Sequence, residues 1–276
     1  STRTLQSIDL TTITENDRTY PDEHYYMPCD AVEQDRLSIL HRVYLAALGD
    51  KLTTAPITAA TTRMLDVGTG PGDWAVGISE RFPYAEVVGI DLTIWDVEAV
   101  EAERQGGHEP QPPHPGWNFT EPFDYIHIRG LKGAFASWPA LYAEAYTSLA
   151  PGGWIEVVDY SFAPPDTPDI LNRPSGPTSG DSPAFTHLFE STRLASLRAG
   201  LNLGTAHLST SLLTDAGFVD VRATQVNVPV GTWPSDARQK ALGKLFVVCL
   251  MEGFESVCLR LLTRYAGWGK EEVREL

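Results

Sequence analysis

The stretch Met64–Trp74, "MLDVGTGPGDW", decides how the rest of the chain reads. An apolar run ends on Asp66, glycines follow at 68, 70 and 72, and the spacing then predicts a helix over Trp74–Phe82. Without Cβ atoms, Gly68, Gly70 and Gly72 let the backbone turn tightly and press its N–H groups against a ligand. The dinucleotide fingerprint GxGxxG would need glycine at position 73, which is Asp73, and no GK[ST] follows to make a P-loop. Asp91 closes the next apolar run, Glu86–Ile90, at 19 residues beyond Gly72. An acid at the end of that second strand is placed to accept both hydroxyls of a ribose.

Outward from this core, strands and helices alternate. Before it, "CDAVEQDRLSILHRVYLAAL" sets Val32, Leu37, Leu40, Val43, Tyr44 and Ala47 near helical spacing, with Asp30 as N-cap and Glu33 as its capping-box partner, a helix over Ala31–Leu48. Arg63–Val67, Glu86–Ile90, Phe123–Ile128 and Trp154–Tyr160 read as strands, with helical stretches at Val97–Arg104 and Pro139–Leu149. The predicted fold is α/β: a mostly parallel, Rossmann-like sheet with helices on both faces and ligands at the carboxyl ends of the strands. Beyond it, residues 163–183 hold six prolines and read as loop. Ala184–Ala199 and Leu208–Ala216 read as helices, Gly217–Val228 as a strand by its alternation, and Ser235 to about Arg264 as a long amphipathic helix. The chain thus divides into a flexible arm (1–24), an N-terminal cap helix region (25–60) and the sheet domain (61–276), with a helical insertion at about 163–216.

The 276 residues carry 36 acids against 21 Lys and Arg, a formal charge of −15 that repels phosphate backbones and anionic membranes. Nucleic acid and membrane are therefore not the expected partners. Cys29, Cys249 and Cys258 are far apart and odd in number, which fits free thiols and neither a disulfide framework nor a zinc spacing. The seven histidines are dispersed, so no metal site is expected. No signal peptide and no run of about 18 apolar residues is visible. The expected location is the cytoplasm, with the nucleus as alternative.

GxGxG after a strand ending in an acid is the pattern of class I S-adenosylmethionine (SAM) methyltransferases. "YYMPCDAVEQDRLSILH", "FDYIHIRGLKGAFASWPAL", "LAPGGWIEVVDY" and "GFVDVRATQVNVPVGTWP" extend the likeness. Together they resemble the LaeA-like methyltransferases of fungi from about Tyr25 to the C-terminus. That resemblance implies a class I fold with a helical cap, SAM as methyl donor and S-adenosylhomocysteine (SAH) as product. It also implies either a small-molecule acceptor or a role in regulating secondary metabolism. By the same match, Asp66, Gly68, Gly70 and Gly72 belong to the SAM loop and Asp91 to the ribose. Tyr25 and Arg36 belong to the segment that folds over the cofactor, and His127 and Arg129 to the strand end facing the methyl group. Trp138 and Glu156 match as structural residues. Two departures stand out. If Trp117 is the third motif's tryptophan, the acidic pair usual before it falls near Gln111 and Pro112, so either adenine is held by the Leu92 and Thr93 backbone and Trp117 or SAM binds weakly. No antiparallel strand is visible after the last long helix.

Methyl transfer is an in-line displacement, so alignment and exclusion of water are the main tasks. His127 is the candidate base for a phenol or amine, against the alternative of a hydrogen-bonded strand-end histidine. Arg129, on the same face if the strand continues, is a candidate bidentate partner for the SAM carboxylate or an acidic substrate, against a structural ion pair. Tyr160 and Asp159, at the end of the strand Trp154–Tyr160, are candidates to reach the acceptor, Tyr160 as a catalytic residue. His24, Tyr25 and Tyr26 either close the pocket or pack. Trp154, Trp233 and Phe246 read as core or pocket wall, and His187 and His207 have no assigned partners. The expected activity is O-methylation of a small molecule at carboxyl or hydroxyl. The rival is a methyltransferase-like regulator that works through complex formation with a protein partner, and the long C-terminal helix could equally pair two copies.

Overall fold

In the computed structural model, residues 12–93, 95, 117, 119–161 and 183–275 are described. The predicted stretch Val97–Arg104, the loop at 163–182 and the positions Gln111 and Pro112 lie outside them.

Two short strands, β1 (Ile13–Glu15) and β2 (Arg18–Tyr20), form an antiparallel hairpin ahead of helix α1 (Ala31–Ala47). Strand β3 (Arg63–Val67), helix α2 (Asp73–Arg81), strands β4 (Glu86–Ile90) and β5 (Phe123–Arg129), helix α3 (Trp138–Ser148) and strand β6 (Leu149–Val158) then build one four-stranded sheet in the order β4-β3-β5-β6. All its pairings are parallel. Both faces are covered, so the strands are apolar at consecutive positions. Leu65, Val67, Ile126 and Ile128 pack on the side of α3, while Met64, Val87 and Tyr125 pack on Trp74 and Ile78 of α2. The expected parallel α/β sheet is therefore present.

A second layer caps the carboxyl ends of the strands. It comprises α4 (Pro183–Arg198), the 29-residue α6 (Ala237–Tyr265) and α7 (Lys270–Arg274), while α5 (Thr210–Asp215) packs beside α3. Leu40, Val43 and Tyr44 of α1 pack on Leu242, Phe246 and Cys249 of α6. Tyr26 packs with Leu188, Leu259 and Leu262.

Several local expectations need correction. Gly217–Val228 is not a strand: it runs along the surface without a ladder, because alternation supplies an apolar face but no partner edge. Trp233 is 77% exposed and Trp154 40% exposed, so neither is core, whereas Phe246 is buried. Val32, placed on the apolar stripe of α1, points outward, and the buried face instead carries Glu33, Arg36 and His41. Asp30 caps α1 by accepting from the Glu33 N–H at 3.1 Å, but the Glu33 carboxylate turns inward to Arg36 rather than completing the box. Residues 12–24, within the stretch read as a loose arm, are tied down by charge. Glu15 meets Arg260 at 2.9 Å and Arg264 at 2.6 Å, and Arg18 meets Asp30 at 2.6 Å. Among the described residues no helix is long and apolar enough to cross a membrane.

Candidate functional site

The glycine loop follows directly from β3. Gly68 has φ +68°, a backbone conformation that favours glycine, and a Cβ there would fall 2.5 Å from the Leu131 side chain, which would have to shift. Gly72, φ +90°, serves as the N-cap of α2. The loop closes on the end of β4: the Gly70 N–H donates to Asp91 Oδ2 at 2.8 Å, and the Thr93 N–H donates to Oδ1 at 3.2 Å. Burial raises the Asp91 pKa, and these N–H bonds oppose that rise.

Asp66 and His127 are register partners on adjacent parallel strands. Asp66 Oδ1 lies 2.7 Å from His127 Nδ1, and Oδ2 accepts from the Thr69 hydroxyl at 2.8 Å. The imidazole stacks on Trp74 at 3.9 Å between ring centroids, with the ring planes nearly parallel. Burial lowers the His127 pKa, and Asp66 only partly offsets it. The ring is therefore neutral near pH 7, and with Nδ1 turned to the carboxylate, Nε2 is the nitrogen left to accept.

Helix α1 contributes one side of the site with Glu33, Arg36, Leu37, Leu40, His41 and Tyr44, spaced so that one helical face carries them. Arg36 places two N–H donors on the Glu33 carboxylate, at 2.8 and 2.6 Å. Arg129, at the end of β5, meets no carboxylate among the described residues. Its guanidinium donates to His41 Nδ1 at 2.9 Å and lies over the Tyr44 ring at 4.9 Å. Burial and then the Arg129 charge push the His41 pKa down to about 4, so His41 is neutral.

On the opposite side, Lys132 Nζ lies 3.3 Å from Asp159 Oδ1 and 3.4 Å above the centre of the Tyr160 ring. His207, stacked on Trp138, approaches Asp159 Oδ2 at 3.3 Å. Burial opposes ionisation of Asp159, but Lys132 and His207 hold its pKa below the usual carboxylate value. Glu156 accepts from the Tyr125 hydroxyl at 2.7 Å and from the Thr54 N–H at 2.8 Å, a structural tie outside the site. The segment before α1 is held from behind, since Arg260 donates to the carbonyls of Asp22 and Tyr25 at 2.7 and 2.6 Å.

These groups surround one cavity of about 430 Å³, within the range of small-molecule sites, roughly 300–1,000 Å³. Tyr25, Arg36, Asp66, Gly68, Gly70, Asp91, Leu92, His127, Arg129 and Tyr160 all line it, and Gly72 stands behind as the helix cap. Tyr26 lines it too, with its hydroxyl donating to the Lys132 carbonyl at 2.9 Å. His24 is exposed outside it, and Asp159 sits behind Lys132. His41, Tyr44, Glu33 and Lys132 were not anticipated. The first three could have been found as polar residues repeating on the buried face of a helix otherwise read by its apolar positions. The described thiols are free, and among the described residues no group of His, Cys, Asp and Glu could hold a metal.

Residues 39–223 match a methyltransferase-domain family. The chain is 34% identical over 249 residues to the secondary metabolism regulator LAE1 of Cochliobolus heterostrophus, covering 88% of this chain and 78% of that protein. It is 31% identical over 253 residues to the methyltransferase pytC of Aspergillus terreus, covering 91% and 75%.

Proposed function

The chain belongs to the LaeA-like, SAM-dependent methyltransferases of fungi, and on that footing we propose that it methylates a hydroxyl or carboxylate oxygen of a small molecule, releasing SAH. One observation carries this reading. One cavity is lined by the glycine loop, Asp91 and Arg129 together with apolar residues of α4 and α6, such as Leu188 and Phe254.

The residues fit the cofactor. Asp91, a buried acid at a strand end, would accept from ribose hydroxyls, and Leu92, next in the chain and also in the cavity wall, would lie against adenine. Gly68 and Gly70 let the loop approach a ligand at backbone distance, and Tyr25 and Arg36 cover it from the cap. When bound, SAM supplies an electrophilic methyl group on a sulfonium. The chain's own tasks are then to orient the acceptor, exclude water and, for a hydroxyl, take a proton. His127 suits the last task, because Asp66 orients a ring that is neutral near pH 7. A carboxylate acceptor needs no base, only a cation to aim it, and Arg129 and Lys132 stand in the cavity wall. Tyr160 anchors Lys132 at the acceptor end, its carbonyl accepting from Nζ at 2.5 Å.

The test is an incubation of the protein with SAM and a panel of aromatic acids and phenols, with SAH and methylated product followed by mass spectrometry. Methyl esters or ethers formed in step with SAH support the reading. SAH formation that no member of an oxygen-acceptor panel stimulates counts against it.

A second reading has its own observation. Met251 on α6 is 73% exposed, Trp233 77% and Val230 47%, apolar side chains open to a partner. The Cochliobolus relative is named a secondary metabolism regulator, and a regulator that acts through a protein complex would use such side chains. Met251→Glu and Trp233→Glu would then abolish complex formation while leaving SAM binding intact.

A further inference from the structure

Most of the positive charge in the cavity wall is cancelled by the chain itself. Arg36 places two N–H donors on Glu33, whose side chain is 1% exposed. Lys132 Nζ lies 3.3 Å from Asp159 Oδ1, and that carboxylate is equally buried. The Lys132 backbone N–H donates to the other oxygen, Oδ2, at 3.0 Å. Each pair therefore enters the wall as a neutral unit. The remaining cation, Arg129, is the group available to the carboxylate of the cofactor's own amino-acid moiety, and once that is bound no cation of the described wall is left for an acidic acceptor. The wall that α4, α6 and the chain between them contribute holds no charged residue among those described, and Leu188, Phe189, Leu203, Leu250, Phe254 and Val257 make most of it apolar. Its Thr192 hydroxyl is engaged within the wall, donating to Cys258 Sγ at 3.5 Å. A carboxylate brought against such a surface loses hydration and gains no counter-charge, whereas an aromatic ring gains by burial.

We infer that the acceptor is a neutral, apolar hydroxyl compound of the phenol class, and that the two internal ion pairs and the wall of α4 and α6 select it by denying a carboxylate its counter-ion. This deepens the methyltransferase reading and rests on it, choosing the hydroxyl over the carboxylate. The neutral imidazole of His127 matches that choice, since a hydroxyl has a proton to give and a carboxylate has none. In the transfer, the acceptor's O–H proton passes to His127 Nε2 and its oxygen forms the new bond to the methyl carbon. The electron pair of the broken carbon–sulfur bond stays on the sulfur of SAH.

Calorimetric titration of the SAH-saturated protein with 2-naphthol and with 2-naphthoate tests the selection, because the two share a ring system and near pH 7 differ in charge. The wild type should bind the naphthol at least about tenfold more tightly, as expected when an anion is buried without a partner. Asp159→Asn leaves the Lys132 charge uncompensated and should narrow that preference severalfold. Phe254→Lys sets a new cation into the apolar wall and should shift the preference the same way, so it carries the test if Asp159→Asn does not fold. SAH affinity near the wild-type value reports that each variant is folded. Naphthoate binding as tightly as naphthol, or neither compound binding the SAH-saturated wild type, overturns the inference while the cofactor reading stands. So does an unaltered preference in both variants. If the folded wild type binds no SAH, the cofactor reading falls and this inference with it.

Discussion

Asp66 and His127 face each other across β3 and β5 at 2.7 Å, with the imidazole laid on Trp74. A carboxylate on one ring nitrogen fixes tautomer and orientation, the arrangement that a base and its orienting acid require. His127→Gln should therefore slow methylation of a hydroxyl acceptor by roughly 10²–10⁴-fold, with SAH affinity within a few-fold of wild type. A carboxylate acceptor should be far less affected. Equal losses on both acceptors would make His127 a purely structural residue.

His41 should make stability depend on pH. Unfolded, it titrates near 6.5; folded, burial and Arg129 hold it at about 4. Between those values the unfolded chain takes up a proton that the folded chain refuses, so stability falls as pH drops from 6.5 towards 4. His127, also lowered by burial, acts in the same direction. The His41 share is on the order of 2 kcal/mol after allowing for its partial solvent contact. Urea unfolding midpoints across this window should fall less steeply in His41→Asn. An unchanged slope would contradict the assigned neutral state.

Glu33 and Arg36 form a buried ion pair, with side chains 1% and 5% exposed. Removing one partner strands the other charge, so Glu33→Gln should cost roughly 3–5 kcal/mol in urea unfolding. Glu33→Leu combined with Arg36→Met should cost less than the sum of the single changes. Strict additivity would show that the charges are not coupled.

The sheet and its glycine loop were legible because buried parallel strands are written as continuous apolar runs, and because Gly68 occupies a backbone conformation that few other residues tolerate. Asp91 was legible for its fixed distance from the loop. What could not be read was tertiary pairing. Gly217–Val228 alternates like a strand but finds no edge to join. Asp159 and His207 meet across 48 positions of chain with no periodic signal to connect them. His41 and Tyr44 sit on a helical face that apolar spacing describes only in part, and no local pattern links them to Arg129 at the end of β5. The hairpin at residues 13–20 depends on Arg260 and Arg264, some 240 positions away, and no local pattern announces it.

Arg260 ties that hairpin and the Tyr25 segment to α6 through Glu15 and the carbonyls of Asp22 and Tyr25. Arg260→Lys keeps the charge but loses the planar set of donors. It should lower stability by about 2 kcal/mol and speed both proteolysis at residues 21–27 and release of SAH. Unaltered proteolysis and release would show that the segment is held by packing alone.

The central claim is that the cavity of the glycine loop and Asp91 is a SAM site. Calorimetric titration of SAM into the wild type and Asp91→Ala tests it most directly. The account predicts micromolar binding to the wild type, weakened at least about tenfold in a variant that remains folded, as expected when a buried acid loses its ribose hydroxyls. A folded wild type that takes up no SAM, or an Asp91→Ala variant that binds it equally well, would contradict the account.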